Sequence, residues 1–395
     1  MAGNTYDLVI LAFQLGMALF CANQLFLHQR NQQVYVPLAL FFAAQAIGMS
    51  FGITVLLSTG YGYDAIIGRW GSITLPVALV QPLLFWLYVR ALTSEDDANR
   101  ITHKGWHALP LVLALIGIPL MFMLPKLVFE QDVLEFGDLG PMTKFTFVYV
   151  QAVVLIFFVQ LGVYLFLTMR MLSAYSTRLK DMFATTEDRE LTWIWWITTT
   201  VSVYLLLSLG RLGVELAELA VPDSILTMFN VIDRLVSLAI TWVIGIWGVR
   251  QQPGLARVMV EAAPDEPKPE NASQSKYERS ALTDEHAVRI ARKIESAMSK
   301  DLLYRDPNLS LWDLAKHISV TSNYVSQTLN MTLRSNFFDY VNRWRIQDAV
   351  KQLHDTEETI LMIAYDVGFN SRSSFYNAFK REMGTTPSAL RASAS

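Results

Sequence analysis

A polar helix face near the carboxyl end of the chain carries side chains suited to hydrogen bonding with another molecule. The stretch Thr359–Pro387 predicts two short helices, capped by Thr359 and Ser371 and separated by a turn at Gly368. Phe375 and Phe379 mark the buried side of the second helix. The outer face of that helix carries Arg372, Ser373, Tyr376, Asn377 and Lys380. A helix, a glycine-containing turn and a second, polar helix form a helix-turn-helix, whose second helix fits the major groove of DNA.

A second pattern of the same kind precedes the first. The letters LSLWDLAKHI predict a short helix capped by Ser310, SVT a turn, and SNYVSQTLNMT a helix with Val325 and Leu329 facing inward. An apolar helix over Phe337–Leu353 joins the two patterns. Many helical hairpins resemble one such pattern, but two in tandem are far more specific.

The composition indicates a membrane protein with a soluble tail. Of 395 residues, 52% are hydrophobic and 17% are charged, against about a quarter charged in a soluble domain. Seven apolar runs approach the ~20 residues that cross a bilayer: Tyr6–Leu27, Tyr35–Leu57, Ser72–Leu92, Trp106–Leu124, Phe145–Leu167, Leu191–Leu212 and Ile225–Val249. We therefore predict an all-α chain, with a seven-helix membrane domain over residues 1–250 ahead of the tandem helix-turn-helix domain.

Charged residues in the predicted loops indicate the orientation. One set of loops contains Arg30, Arg90, Arg100, Lys104, Arg170, Arg178, Lys180, Arg189, Arg250 and Arg257. The opposite set mixes Lys126 and Lys144 with four acidic residues. Basic loops stay in the cytoplasm, so we expect a bacterial inner-membrane protein with its amino terminus outside. Residues 251–281, rich in proline, acidic residues and serine, predict a flexible cytoplasmic linker to a domain over 282–395.

Seven polar residues stand out within the predicted spans. They are Gln14 and the six pocket candidates Gln81, Gln151, Arg211, Asn230, Asp233 and Arg234. Polar groups in a membrane are costly and usually face protein or water. One hypothesis is an outward-opening pocket for a small signal molecule; the other is an interhelical salt bridge, such as Arg211 to Asp233, that only fixes packing. The two are compatible.

The tail resembles a known family. The residues that carry the resemblance are LAKHISVTSNYVSQTLN, NFFDYVNRWRIQDAVKQL and, above all, IAYDVGFNSRSSFYNAFKREMGTTP. They are similar to the DNA-binding domain of the AraC/XylS transcription regulators, and KYERSALTDEHA and LLYRDPNLSL resemble its subgroup with a multi-span membrane sensor. The resemblance covers the final quarter of the chain. It implies seven helices, with two recognition helices in successive major grooves.

The resemblance also implies roles for individual residues. Base-contact candidates are Asn323, Ser326 and Gln327 on the first recognition helix, and Arg372, Ser373, Tyr376 and Asn377 on the second. Phosphate-contact candidates are Arg343, Lys380 and Arg381. The family often has glycine at the positions of Ser319 and Arg334, and neither replacement adopts a left-handed conformation as readily as glycine.

The favoured interpretation is a membrane-anchored transcription regulator whose partners are double-stranded DNA, the lipid bilayer and an unidentified small-molecule or membrane signal. The family also suggests a homodimer. The alternative is a receptor or transporter whose helical tail binds a protein. The six histidines have no triad or ligand spacing, the single cysteine excludes a cysteine cluster, and no phosphate-binding glycine loop is present. We therefore predict no enzyme and no cofactor.

Overall fold

A computed structural model describes residues 2–27, 32–58, 74–94, 104–129, 140–187, 190–216, 222–251 and 284–394. Over these residues the chain is helical, with a single isolated β-bridge. It divides into two compact units, one of Met1–Leu172 with Leu191–Ala256, the other of Ser173–Glu190 with Arg257–Ser395. Apart from Gln251, the predicted linker 251–281 lies outside the described residues, as do the acidic loop residues 130–138.

The first unit contains seven long helices. They are α1 (Ala2–Phe26), α2 (Gln32–Ser58), α3 (Val80–Thr93), α4 (Lys104–Phe129), α5 (Gly140–Met182), α6 (Thr192–Leu216) and α7 (Asp223–Arg250), α5 continuing into the second unit. Each overlaps one predicted span. Six described stretches are long and apolar enough to cross a membrane: Tyr6–Phe26, Val34–Leu57, Thr74–Thr93, Val148–Met182, Thr192–Val214 and Thr227–Arg250. In α4 the described apolar stretch is shorter, Gly105–Ile118.

Close packing of α7 against α1 and α2 depends on two glycines. A Cβ added at Gly245 would lie 2.6 Å from Cε of Met17 and 2.8 Å from Sγ of Cys21. A Cβ at Gly248 would lie 2.5 Å from Cδ2 of Leu38. Small residues let helix backbones approach where no hydrophobic force drives helices together. Cys21 is buried here, as expected of a packing residue.

The second unit contains the seven α-helices that the resemblance implies within residues 284–394. They are α8 (Asp284–Ser299), α9 (Leu311–His317), α10 (Ser322–Gln327), α11 (Phe337–Asp355), α12 (Ile360–Asp366), α13 (Arg372–Met383) and α14 (Pro387–Ala394). Helices α9 and α10 form the first helix-turn-helix, and α12 and α13 the second. The central helix α11 contributes Val341 to the core of the first and Ile346, Ala349 and Leu353 to the core of the second.

Side-chain caps begin α9, α12 and α13 where the sequence predicts them, whereas α10 has no side-chain cap. The hydroxyl of Ser310 accepts a hydrogen bond from Asp313 N, and the Asp313 carboxylate accepts one from Ser310 N, forming a capping box. Thr359 caps α12 by accepting from Met362 N, and Ser371 caps α13 by accepting from Ser374 N. These caps satisfy backbone donors that a helix leaves free at its first turn.

Left-handed backbone conformations close the turns of both motifs. Gly368 has φ +99° in the second motif. Ser319 and Arg334 have φ +52° and +48° around the first. The first motif therefore keeps its turns although neither residue is glycine. The left-handed conformation raises the conformational energy of each residue by about 1–2 kcal/mol.

The second unit also includes a segment that lies outside the predicted domain 282–395. This docking segment, Ser173–Glu190, includes the last turns of α5 and the chain that follows. Phe183 forms the β-bridge with Ser310, and Ala184 N donates to Leu309 O at 3.1 Å. Thr185 Oγ1 donates to Pro307 O at 2.9 Å. The segment thus adds backbone and side-chain bonds to the first motif.

Gly368 and Gly384 allow a matched test of the second motif. Both glycines have positive φ, but only at Gly368 would a Cβ meet backbone atoms, 2.7 Å from Tyr304 O; the space at Gly384 is open. We expect Gly384→Ala to lower the opening free energy of α12 and α13 by about 1–2 kcal/mol. Gly368→Ala should lower it by about 3–4 kcal/mol, because overpacking is added. Amide hydrogen exchange of residues 360–383 in the full chain measures both; equal effects would contradict the packing described.

Candidate nucleic-acid interface

The second recognition helix, α13, presents a polar face opposite its buried side. Phe375, Ala378 and Phe379 are buried. The four base-contact candidates lie away from that side: Arg372, Ser373 and Asn377 are exposed and Tyr376 is half-buried. The structure therefore brings all four onto one accessible helix face.

Arg372 and Tyr376 form an ordered pair on this face. The guanidinium carbon of Arg372 lies 5.0 Å from the centre of the Tyr376 ring, a stacked cation–π geometry. The Tyr376 hydroxyl lies 3.4 Å from Oγ of Ser388. The hydrogen bond with Ser388, together with Arg372, lowers the pKa of the Tyr376 hydroxyl below its usual value. This contact restricts the position of the guanidinium on the helix face.

The first recognition helix is shorter and ends differently. Helix α10 continues into a π-helical turn over Thr328–Thr332. Val325 is buried on its inner side, Asn323 is exposed, and Ser326 and Gln327 are half-buried. Gln327 Nε2 donates to Sδ of Met331 at 3.5 Å. These three candidates also share one helix, with Asn323 the most accessible.

The three phosphate-contact candidates differ in their surroundings. Arg381 Nη2 lies 3.0 Å from Oδ1 of Asp339, and the Arg381 guanidinium also covers the ring of Phe338. Arg343 Nε lies 3.9 Å from Oε2 of Glu382. Lys380 is exposed and forms no ion pair within the described chain. Exposed ion pairs contribute at most about 1 kcal/mol to stability. Arg343 and Arg381 can therefore exchange a carboxylate for a phosphate at a low free-energy cost.

Sequence reasoning missed Arg345, which lies at the centre of the second unit. Its side chain is fully buried. Nε donates to Tyr304 O at 2.7 Å and Nη2 to Asp306 O at 2.8 Å. Its guanidinium lies 5.4 Å from the ring centre of Phe369 in the second motif. The available signal was its spacing on α11, four residues after Val341 and four before Ala349, which puts it on the buried side.

Arg345 also holds the docking segment. Its Nη1 donates to Ala184 O at 3.4 Å, to Oγ1 of Thr185 at 3.3 Å and to Oδ1 of Asn342 at 3.4 Å. Burial lowers the pKa of Arg345 to about 10, which still leaves the group charged at neutral pH. A buried charge is stable only when hydrogen-bonded, so the segment supplies acceptors that Arg345 needs.

The docking segment and α13 line one recess. Its volume is about 300 Å³. From the segment it includes Glu187 and Glu190, and from α13 it includes Asn377 and Arg381. The amide nitrogen of buried Asn342 also lies there and has no partner among the described residues. Two acidic residues therefore lie beside a base-contact candidate and a phosphate-contact candidate.

The six membrane-pocket candidates do not lie together in the first unit. Gln81 lines a cavity between the helices, and Gln151 is half-buried on α5. Arg211 Nη1 donates to Oδ1 of Asn230 at 3.0 Å, and Arg234 forms an ion pair with Asp7.

The carboxylate of Asp233 accepts a hydrogen bond from the hydroxyl of Tyr204. An ion pair between Arg211 and Asp233 is not among the contacts of the described residues. The structure thus places Arg211, Asn230, Asp233 and Arg234 in separate pairs, and of the six candidates only Gln81 lines the cavity.

Comparisons with known proteins agree with this geometry. Residues 314–393 match the helix-turn-helix domain family. The chain is 36% identical over 92 residues to an AraC-like transcription regulator of Streptomyces lividans, covering 22% of this chain and 30% of that protein. It is 31% identical over 86 residues to the melibiose operon regulatory protein of Escherichia coli, covering 22% and 28%.

A third relative is matched over most of its length. The chain is 31% identical over 102 residues to the HTH-type transcriptional activator AarP of Providencia stuartii, covering 25% of this chain and 76% of AarP. By contrast, the chain spans less than a third of the other two relatives. With its seven helices, two helix-turn-helix motifs and this coverage, the chain belongs to the AraC-type family of helix-turn-helix transcription regulators.

Proposed function

We propose that the protein is a membrane-anchored transcription regulator of the bacterial inner membrane. Its AraC-type domain binds double-stranded promoter DNA in the cytoplasm, and a signal sensed in or through the membrane domain controls that binding. The observation that carries the control is the docking segment. It is continuous with a helix apolar enough to span a membrane, and it packs around Arg345 inside the helix-turn-helix unit.

DNA binding is supported by the accessible faces of α10 and α13. Arg372 suits guanine and Asn377 suits adenine, each through two hydrogen bonds in the major groove. Lys380, Arg343 and Arg381 supply positive charge for phosphates, which position a protein without reading sequence. Pairing of two chains on two half-sites would add affinity through a high effective concentration, which is why we include a homodimer in the proposal.

Control is supported by the position of the docked acidic residues. Glu187 and Glu190 share the recess with Asn377 and Arg381. Lys180 of the same segment also lines it, so docking adds a net negative charge where a phosphate backbone would approach. Like charges disfavour that approach. We propose that the docked state has the lower DNA affinity, and that a shift of α5 in the membrane releases the segment. A ligand achieves such a shift by binding one of the two states more tightly.

Variants of α13 test the base-contact candidates Arg372 and Asn377. The full chain in lipid nanodiscs is used to select an operator from random-sequence duplexes, and its affinity for that operator is compared with that for unselected DNA. We expect Arg372→Ala and Asn377→Ala each to cost about 1–3 kcal/mol on the operator and little elsewhere.

Lys380→Ala serves as the matched control on the same helix. It should weaken binding to all duplexes alike. The slope of the logarithm of the binding constant against the logarithm of salt concentration should fall by about one. Failure to select any operator would favour a protein-binding tail, the other interpretation that the sequence allows.

A variant of the docking segment tests control. The Phe183 ring lies 5.8 Å from that of Trp312, so Phe183→Ala should weaken docking. We expect the operator affinity of the full chain in nanodiscs to rise, by about two- to tenfold, as the acidic residues leave α13.

Thr177→Ala is the control, because Thr177 is exposed and its hydroxyl bonds only to Ser173 O of its own helix. Glu187→Gln with Glu190→Gln should raise affinity in the same direction while docking is retained. Unchanged operator affinity in both docking-segment variants would refute the proposed control.

A further inference from the structure

A cavity in the first unit lies between helices that are apolar enough to span a membrane. Its volume is about 210 Å³, and its walls come from α2, α3, α5, α6 and α7. Most of the lining is apolar, and Phe41, Phe85 and Phe157 contribute aromatic rings. An engineered apolar cavity of about 150 Å³ holds benzene, so this one has room for a molecule of one or two rings.

Uncharged polar side chains interrupt the apolar wall near the middle of the spans. Gln45 lies midway along Val34–Leu57, and Tyr204 lies close to the middle of Thr192–Val214. Thr241 also lines the cavity, and no charged side chain does so among the described residues. Polar groups at this depth are expensive unless they have partners, and the absence of charge in the lining favours a neutral ligand.

Hydrogen bonding determines which atom of the Gln45 amide lacks a partner. Thr241 Oγ1 donates its only hydrogen to Ser237 O at 2.9 Å, so this oxygen can form further hydrogen bonds only as an acceptor. Gln45 Nε2 donates to that oxygen at 2.7 Å. This assigns the amide orientation and leaves Gln45 Oε1 buried with no donor among the described residues. A buried acceptor without a donor is destabilising, because it has lost its hydrogen bonds to water.

We infer that this cavity is a binding site for a small, uncharged, mainly apolar molecule of one or two rings with an N–H or O–H donor. The rings fill the aromatic part of the cavity. Oε1 of Gln45 is itself covered, and a rotation of this side chain, which lines the cavity, turns Oε1 toward the donor. Such a molecule partitions into the bilayer and reaches the site from there. The inference rests on the sensory function proposed above, since it supplies the chemical class of the signal.

Indole and benzofuran form a matched pair of probes, because benzofuran has the same ring shape but no N–H. Equilibrium dialysis against the full chain in nanodiscs, corrected with empty nanodiscs, measures binding. We expect one saturable site per chain and about three- to tenfold tighter binding of indole, the ratio from one hydrogen bond. Binding of neither probe, or equal binding of both, would overturn the assignment.

Two variants and one control locate the probe. Gln45→Leu should lower indole affinity to that of benzofuran and leave benzofuran unchanged. Val201→Phe, which fills the cavity and keeps Gln45, should abolish binding of both probes. Gln160→Leu is the control, because Gln160 also has a buried, unpartnered Oε1 but does not line the cavity. Unaltered probe binding in Val201→Phe would place the ligand elsewhere and refute the proposal.

The same samples separate this proposal from the proposed function. Operator affinity is measured for wild type and Phe183→Ala beside the dialysis. Saturable, Gln45-dependent indole binding supports the site even if Phe183→Ala and the Glu187→Gln with Glu190→Gln variant both leave operator affinity unchanged. That result would defeat only the proposed control. If Phe183→Ala raises operator affinity but neither probe binds, the site is refuted and the control stands.

Discussion

The fold of the helix-turn-helix unit depends on one buried cation, Arg345. Burying a guanidinium without partners would cost several kcal/mol, and Arg345 avoids this by donating to backbone oxygens of Tyr304, Asp306 and Ala184. Tyr304 and Asp306 belong to one stretch of chain and Ala184 to another, so a single side chain sets the distance of two chain segments from the central helix. The ring of Phe369 closes the remaining side, so the second motif is tied to the same charge.

This arrangement makes the docking segment part of the domain rather than a neighbour of it. Without Ala184 and Thr185, Nη1 of Arg345 would retain only Asn342 Oδ1 among its described acceptors. An incompletely paired buried charge is strongly destabilising, so the docked and released states that we propose differ in energy. A docked segment satisfies Arg345, whereas a released one requires water or a rearrangement of α11. Such a two-state element is what a switch requires.

A related constraint applies to the first unit in the bilayer that we propose for it. Helices satisfy their own backbone groups in a bilayer, so the polar side chains, not the backbone, decide where partners are needed. Arg211 and Arg234 find theirs in Asn230 and Asp7. Gln45 satisfies its donor through Thr241 but not its acceptor. The unsatisfied atom belongs to a side chain that lines an apolar cavity, and this combination, more than any charged residue, identifies the place where a ligand adds stability.

The sequence by itself determined the elements. Apolar runs of membrane-spanning length predicted the helices of the first unit, and the caps Ser310, Thr359 and Ser371 with Gly368 predicted both helix-turn-helix motifs, because these signals act over a few neighbouring residues. Only the tertiary structure showed that Ser319 and Arg334 adopt left-handed conformations without glycine. Only the tertiary structure paired Arg345 with Ala184, 161 residues away along the chain, and assembled a cavity from five helices. Contacts between residues so far apart in the sequence produce no local pattern from which they could be predicted. Whether a polar atom lacks a partner is known only when the positions of all groups packed around it are known.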